Sequence, residues 1–405
     1  MRLAPRAALA LRHGKLRQAL QAAALDGIVV THLPNLFYLT NFLGTAGIAV
    51  VTADHLYLIV DFRYLAAATE LAQSESGAPG VRLVMVERSY DEALFGLLKE
   101  LGLARVGVEG AHLSVQRAHR LAQTIDAALV DQRDERDQRP GAAHGGVGGP
   151  TIVVTEDIVE RLRLIKDDHE IEMLRSGARL LSSVARDVLE EVKPGITEQE
   201  LAAKIDWRIK SAGFERCSFE TIVASGPNSA LPHAHPGDRR LSQGDLVVLD
   251  FGGVYGGYCV DLTRTVAVGQ ADAEMQRVYG AVLEAQTAAI QVAGPGVKAS
   301  VIDGAAREVL ARYGLAEAFG HSTGHGLGVE IHETPRIGPR RESDAGAQAP
   351  DDTIEPGMVF TIEPGAYLPG WGGVRIEDDV LVTAQGAEVL TRVPTQLQTH
   401  GFRRD

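Results

Sequence analysis

The sequence predicts a two-domain α/β protein whose second domain is built twice from one helix–helix–strand unit. Three observations lead there. Strand and helix signals alternate through the first 130 residues or so. A charge run that turns glycine-rich, DQRDERDQRPGAAHGGVGG, follows at 131–149. Beyond it, two passages echo one another about a hundred residues apart. A chain of 405 residues is also long for a single small domain.

In the first part, LDGIVVTH reads as a strand, and GIAVVTADHLYLIVDF reads as two strands around an Ala-Asp-His turn. RYLAAATELAQ is helical by composition, while VRLVMVE and ARVGVEG return to strand. The first domain is therefore expected over 1–155, with 131–149 a flexible solvated connector. The second is expected over 156–405. There Ile165, Ile171, Leu174, Ala178 and Leu181 recur at helical spacing, so a long amphipathic helix opens it and stops at Lys193-Pro194-Gly195. Another helix starts at Thr197, with Glu200 placed to complete a capping box.

That passage returns. EVKPGITEQELAAKI (191–205) is echoed by VAGPGVKASVIDGAA (292–306), and SQGDLVVLDFG (242–252) by EPGMVFTIEPG (355–365). Each strand has a glycine six residues before an acid, Asp250 or Glu363. Two echoes in the same order indicate an internal duplication.

Composition narrows the partners. A net charge of −13 argues against nucleic acid, whose phosphates demand a basic surface. No apolar run approaches the ~20 residues of a spanning helix. The opening Ala/Leu stretch is broken by Arg12, His13 and Lys15, which suits an amphipathic helix better than a secretory signal. Only Cys217 and Cys259 occur, so a reducing, cytoplasmic home is expected. Small molecules or peptides remain as partners.

VVLDFGGVYGGYCVDLTRT (247–265) places two carboxylates in a hairpin, where they form strands poorly. With the turn centred on Tyr255-Gly256, Asp250 and Asp261 stand directly opposed, Cβ atoms ~4.5–5.5 Å apart. The second copy repeats the arrangement: Glu363 and Glu377 face each other about a turn centred on Gly370. Four inward acids are too many for proton sharing, and two hard divalent ions bridged by carboxylates answer the repulsion. HSTGHGLGVEIHE (321–333) supplies His321, His325 and His332 among glycines, and His325 is the candidate fifth ligand. One imidazole among four carboxylates favours Mn²⁺ or Co²⁺, with Zn²⁺ and Fe²⁺ as alternatives.

Asp250, Asp261, His325, Glu363 and Glu377, in LDFGG, DLTRT, GHGLG, TIEPG and RIEDD, closely resemble the metal-binding set of the Xaa-Pro peptidases. These are prolidase and aminopeptidase P, within the methionine-aminopeptidase and creatinase group. The resemblance covers roughly 155–395. PNLFYLTNF and VDFRY resemble the creatinase/prolidase N-terminal domain more weakly. It implies a C-terminal "pita-bread" domain that is itself a pseudo-duplication, with Asp261 and Glu377 as bridging carboxylates. Asp250 would complete one metal site, and His325 and Glu363 the other. It marks His233, 17 residues before Asp250, as the histidine near the reacting carbonyl, with His235 its rival by proximity. It further implies His332 as a second active-site histidine, His321 behind the site, Arg375 steadying it and Tyr367 near it; His332, Tyr367 and Arg375 are thereby candidates for substrate contact.

The implied reaction is hydrolysis of the Xaa-Pro bond, with Glu363 handling the proton and His233 the oxyanion. Arg336 and Arg63 are candidates to clamp the free carboxylate of a dipeptide. The 14-residue spacing of Glu363 and Glu377 resembles prolidase, making dipeptides the expected substrates, with aminopeptidase P action on longer peptides the alternative. A methionine aminopeptidase is usually the catalytic domain alone, and a creatinase-like or non-catalytic relative would lack ligands present here. The resemblance also implies a homodimer.

Overall fold

A computed structural model describes residues 2–121, 150–340 and 351–400. The expected connector at 131–149 lies outside them. The chain divides into two compact units, Leu3–Arg163 and Leu164–Asp405, the latter joined by the first two residues. The division falls after Arg163 rather than at the expected 155–156. The reason is local: Arg163 Nη1 donates to Asn35 Oδ1 at 2.6 Å, which ties the helix Ile158–Leu164 to the first unit.

The first unit holds a mixed sheet. Its strands are β1 (Gly27–Val30), β2 (Ile48–Thr52), β3 (Leu56–Val60), β4 (Val81–Met85), β5 (Arg105–Glu109) and β6 (Thr151–Thr155), in the order β4-β3-β2-β1-β5-β6. β1, β2 and β3 are antiparallel neighbours, as the three-residue link between β2 and β3 requires of that pair, whereas β4, β5 and β6 join parallel to theirs. The central strands IVV, IAVV and LYLIV are buried throughout, which explains their continuous apolar runs. Helix Phe62–Gln73 starts where the Asp61 carboxylate accepts the Arg63 N–H, and helix Tyr90–Leu101 starts at Ser89.

The second unit repeats a motif. Helices Asp168–Leu189 and Glu198–Ser211 precede the hairpin β9 (Leu246–Tyr255)/β10 (Tyr258–Val268), flanked by β7 (Arg216–Cys217) and β8 (Ile222–Ser225). Helices Ala273–Val292 and Ala299–Arg312 precede a second sheet: β11 (Gly324–Gly326), β12 (Glu333–Ile337), β13 (Val359–Ile362), β16 (Asp378–Thr383) and β17 (Gly386–Val389). β14 (Gly365–Leu368) and β15 (Gly372–Arg375) extend it as a ribbon, and β18 (Gln398–His400) joins β10. The capping box at Thr197 and Glu200 is present. The long opening helix begins later than its apolar spacing suggests. Asp167 and Glu170 form a capping box of their own, leaving Ile165 outside the helix.

The register of the first hairpin differs from expectation. Tyr255 pairs with Tyr258, so the two-residue turn is Gly256-Gly257, with φ of 60° and 84°. Positive φ at both positions is the twist-matched hairpin turn, which glycines adopt without a Cβ penalty. Asp250 therefore faces Thr263, and Asp261 faces Gly252. The two aspartates share a face diagonally instead of standing directly opposed. In the second hairpin Ile362 pairs with Asp378 and Gly365 with Arg375, so Glu363 and Glu377 occupy the facing positions between two paired segments. Pro364 follows Glu363 there, and it cannot donate to a ladder.

Candidate metal centre

Period-two alternation in β9 and β10 turns Asp250, Asp261 and Thr263 toward the second hairpin, where Glu377 waits. Thr263 Oγ1 donates to Glu377 Oε2 at 2.6 Å, and the Glu377 N–H donates to Thr263 O at 3.2 Å. Each half of the duplication thus fixes the other's acid. Asp261, His325 and Glu377 each offer a ligand atom, all within 4.8 Å of one another. His325 Nε2 lies 3.6 Å from Glu363 Oε1 and 4.0 Å from Asp261 Oδ2.

The imidazole is oriented by its other nitrogen. His325 Nδ1 is 3.0 Å from Gly326 O, and a carbonyl only accepts, so Nδ1 carries the proton and Nε2 turns its lone pair to the acids. Burial pushes the His325 pKa down to about 4, leaving the ring neutral at pH 7. Thr361 Oγ1 accepts the His325 N–H and donates to Glu363 Oε1, linking two ligands through one hydroxyl.

Asp261, Glu363 and Glu377 are held above the usual carboxylate range. Burial raises Asp261, with the charges of Asp250, Asp379 and Glu363 adding to it. Burial likewise raises Glu377, helped by Asp261, Glu363 and Asp250. Glu363 is pushed up to about 8 by burial, against the pull of Arg375. Asp250 Oδ2 accepts from Arg375 Nη2 at 2.6 Å. Its Oδ1 is buried with no hydrogen-bond partner among the described residues. An orphaned carboxylate oxygen aimed into a nest of acids and one neutral imidazole lone pair is a donor set for divalent cations. The five residues fit two such ions.

Behind them runs a chain of donors. Arg375 also gives Nη1 to the Tyr367 hydroxyl at 2.8 Å, Nε to Thr263 Oγ1 at 3.2 Å and Nη1 to Pro232 O at 3.2 Å. His321 Nε2 is 2.9 Å from the Tyr367 hydroxyl, and its Nδ1 is 2.8 Å from Ser322 O. The only proton placement that satisfies all these groups runs Arg375 to Tyr367 to His321 Nε2, with His321 Nδ1–H on the carbonyl. Burial keeps His321 neutral, its pKa down at about 4, and lifts the Tyr367 hydroxyl to about 12. Tyr367 and Arg375 were candidates for substrate contact. Arg375 lines the cavity but is only 3% exposed and gives its donors to Asp250, Tyr367, Thr263 and Pro232, whereas Tyr367 does not line the cavity.

The cluster forms the floor of a cavity of about 480 Å³. His233, His332 and Arg336 line the same cavity, as does His235. His235 is 81% exposed and lies 3.1 Å from Glu220 Oε2. Arg336 sits on β12 directly across from His325, and the His332 ring meets the His325 ring edge-on at 4.4 Å. All the lining residues belong to the second unit. Arg63 belongs to the first, where its guanidinium forks onto Asp61 at 3.0 and 2.7 Å.

Two contributors were missed in the sequence. Asp379 is fully buried and accepts the Asp261 N–H at 3.0 Å. Thr263 joins Glu377 to Arg375. Each lies two residues beyond a ligand, Thr263 on the same strand face as Asp261 and Asp379 just inside β16 after Glu377, and that spacing was the available signal. Lys166 is also buried, 3.4 Å from Glu333, the residue after His332.

Comparison with known proteins agrees with this geometry. Residues 172–384 match metallopeptidase family M24, and residues 12–138 match the creatinase/prolidase N-terminal domain. The chain is 34% identical over 388 residues to an Xaa-Pro dipeptidase of Pyrococcus furiosus, covering 95% of this chain and 98% of that one. Among solved structures, an Xaa-Pro dipeptidase from Bacillus anthracis superposes with a TM-score of 0.84 at 34% identity, covering 96% and 99% of the two chains. An X-Pro aminopeptidase from Thermotoga maritima superposes with a TM-score of 0.78 at 30% identity, covering 94% and 99%.

Proposed function

The chain belongs to metallopeptidase family M24, and from that premise we propose that it hydrolyses the Xaa-Pro bond of dipeptides, as a prolidase. The observation that carries the dipeptide reading is Arg336. It lines the cavity across from His325, where a guanidinium fork can hold the free carboxylate of a C-terminal proline.

Two divalent ions, when bound by Asp250, Asp261, His325, Glu363 and Glu377, supply the Lewis acidity that activates water and polarises the scissile carbonyl. Manganese is the favoured ion for so oxygen-rich a set. Glu363 takes the proton of the attacking water and delivers it to the departing proline nitrogen. Its position beside His325 and Thr361 supports that role. His233 donates to the oxyanion of the tetrahedral intermediate, and His332 walls the proline side of the cavity. A tertiary Xaa-Pro amide has no N–H for a general peptidase to grip, which suits a dedicated cavity. Arg63 would be a second candidate clamp where a first unit overhangs a neighbouring site, and it is paired here with Asp61. Both cysteines are free thiols, in keeping with a cytoplasmic location. A homodimer completes the proposal, and sedimentation at 43 kDa alone would remove it.

The test is kcat/KM on Gly-Pro and on Gly-Pro-Gly, before and after chelation. Turnover of Gly-Pro that chelation abolishes and Mn²⁺ restores is expected. Preference for the tripeptide would transfer the reading to aminopeptidase P, and undiminished turnover in verified metal-free protein would overturn both.

A further inference from the structure

His233 reaches the cavity on the loop 226–236, which follows β8. Its imidazole is exposed, and no hydrogen bond among the described residues fixes it. The ring is therefore aimed by its backbone alone. That backbone is tied at both ends to one side chain. Glu198, fully buried at the start of helix Glu198–Ser211, accepts through Oε1 the Ser225 N–H at 2.8 Å, the Ser225 hydroxyl at 2.7 Å and Asn228 Nδ2 at 3.0 Å. Its Oε2 accepts Asn228 Nδ2 at 3.1 Å and, beyond the histidine, the Gly237 N–H at 3.2 Å. Between these ties the loop meets the second hairpin: Ser229 Oγ accepts the Gly373 N–H at 2.8 Å, and Pro232 O accepts from Arg375 at 3.2 Å.

We propose that Glu198 is a positioning residue for the hydrolysis, holding both ends of the loop so that His233 meets the oxyanion; this rests on the oxyanion role given to His233 above. A carboxylate taken wholly out of water is costly unless its lone pairs are engaged. Here backbone and side-chain donors engage them, and the helix N-terminus favours the negative charge. Arg239 reaches the acid through Ser225 Oγ at 2.6 Å, while its fork is held by Asp245 at 2.6 and 2.8 Å.

Starting the helix does not call for this acid. In the internal echo Ala299 takes the place of Glu198, and helix Ala299–Arg312 begins there just as Glu198–Ser211 does. Thr197 and Glu200 already cap the first copy. What the carboxylate adds is its grip on the loop. A reacting group displaced by about 1 Å can lose on the order of 10²-fold in rate, so a grip on the backbone of an otherwise unheld ring acts on kcat.

The experiment measures kcat and KM on Gly-Pro for manganese-loaded wild type, Glu198→Gln, Asn228→Ala, His233→Ala and the Glu198→Gln/His233→Ala double variant. Hydrogen–deuterium exchange over 226–236 accompanies it. The amide of Glu198→Gln keeps one acceptor oxygen and turns a donor toward the other end of the loop. It should lower kcat roughly tenfold, leave KM within about twofold, and speed exchange in the loop while helix Asp168–Leu189 keeps its protection. Asn228→Ala, which alters no buried charge, should act in the same direction to a smaller degree. The double variant should be no slower than His233→Ala, since the tie acts through that ring. Unchanged loop exchange, unchanged kcat in both Glu198→Gln and Asn228→Ala, or an equal Glu198→Gln loss in the His233→Ala background overturns the inference. Wild-type kcat in His233→Ala would instead remove the oxyanion role, with loop exchange still deciding whether Glu198 holds the loop.

Discussion

Replacing Glu363 by glutamine should change how the stability of the metal-free protein depends on pH, by an amount the structure sets. Burial raises the Glu363 pKa from 4.5 to about 8. The folded state therefore holds this proton more tightly than the unfolded chain, and stability falls as pH rises from 4.5 through 8. At ~1.36 kcal/mol per pH unit, the full cost is about 5 kcal/mol, of which about 3 kcal/mol falls between pH 5.5 and 8.5. His321 and His325 act oppositely, since burial holds both near 4 in place of 6.5 and stability gained from them rises with pH. From pH 5.5 upward both rings are already neutral in the folded state, and their titration in the unfolded chain is common to both proteins, so they drop out of the difference. Removing the Glu363 charge also relieves Asp261 and Glu377, which moves the difference the same way. The Tm advantage of metal-free Glu363→Gln over wild type should thus widen from pH 5.5 to 8.5. At about 2–4 °C per kcal/mol, the widening is about 6–12 °C, read by differential scanning calorimetry. Saturating Mn²⁺ should invert the order by stabilising wild type more. A Tm difference that is constant or shrinks with pH refutes the account of the acid cluster.

Arg336→Ala should lower kcat/KM on Gly-Pro by roughly 10–100-fold and leave any Gly-Pro-Gly activity nearly unchanged; equal losses on both substrates remove the clamp. His233→Ala should lower kcat on the order of 10²-fold, while His235→Ala, which frees only an exposed contact with Glu220, should leave it near wild type, and the reverse pattern exchanges their roles. Thr263→Val strips a hydroxyl from Glu377 and Arg375 together and should weaken Mn²⁺ binding by roughly 10–100-fold in calorimetric titration, with Thr263→Ser restoring most of it.

The ligands were legible because chemistry overrides propensity at them. A strand that spends positions on Asp250 and Asp261 advertises a cation, and the echo of SQGDLVVLDFG in EPGMVFTIEPG places Glu363 and Glu377 in the same relation. What the sequence hid was geometric. Centring the turn on Tyr255-Gly256 sets the aspartates face to face, but only Gly256 and Gly257 can both take positive φ, and the pair becomes diagonal. Apolar spacing through Ile165 carried no sign that Asp167 caps the helix beyond it. Arg375 and Tyr367 were placed beside the site only by resemblance, because a donor's partners across 125 positions of chain, as from Arg375 to Asp250, leave no local trace.

The Gly256-Gly257 turn has a consequence for how such a sequence can change. Its first residue is packed so closely that a Cβ there would fall 2.6 Å from Met173 Sδ, and its second gives its N–H to Glu215. Because side chains alternate along a strand, losing one glycine would carry Asp261 and Thr263 to the opposite face while leaving every ligand in the chain. A drifting lineage could exchange an acid for its shorter or longer homologue and keep a weakened site. It could not drop a single turn residue, far from the cavity, and keep one at all. Length between the two aspartates is therefore under tighter constraint than identity at most positions around them, and a deletion at this turn would be the most economical way for a gene copy to lose metal chemistry while keeping the motifs that announce it.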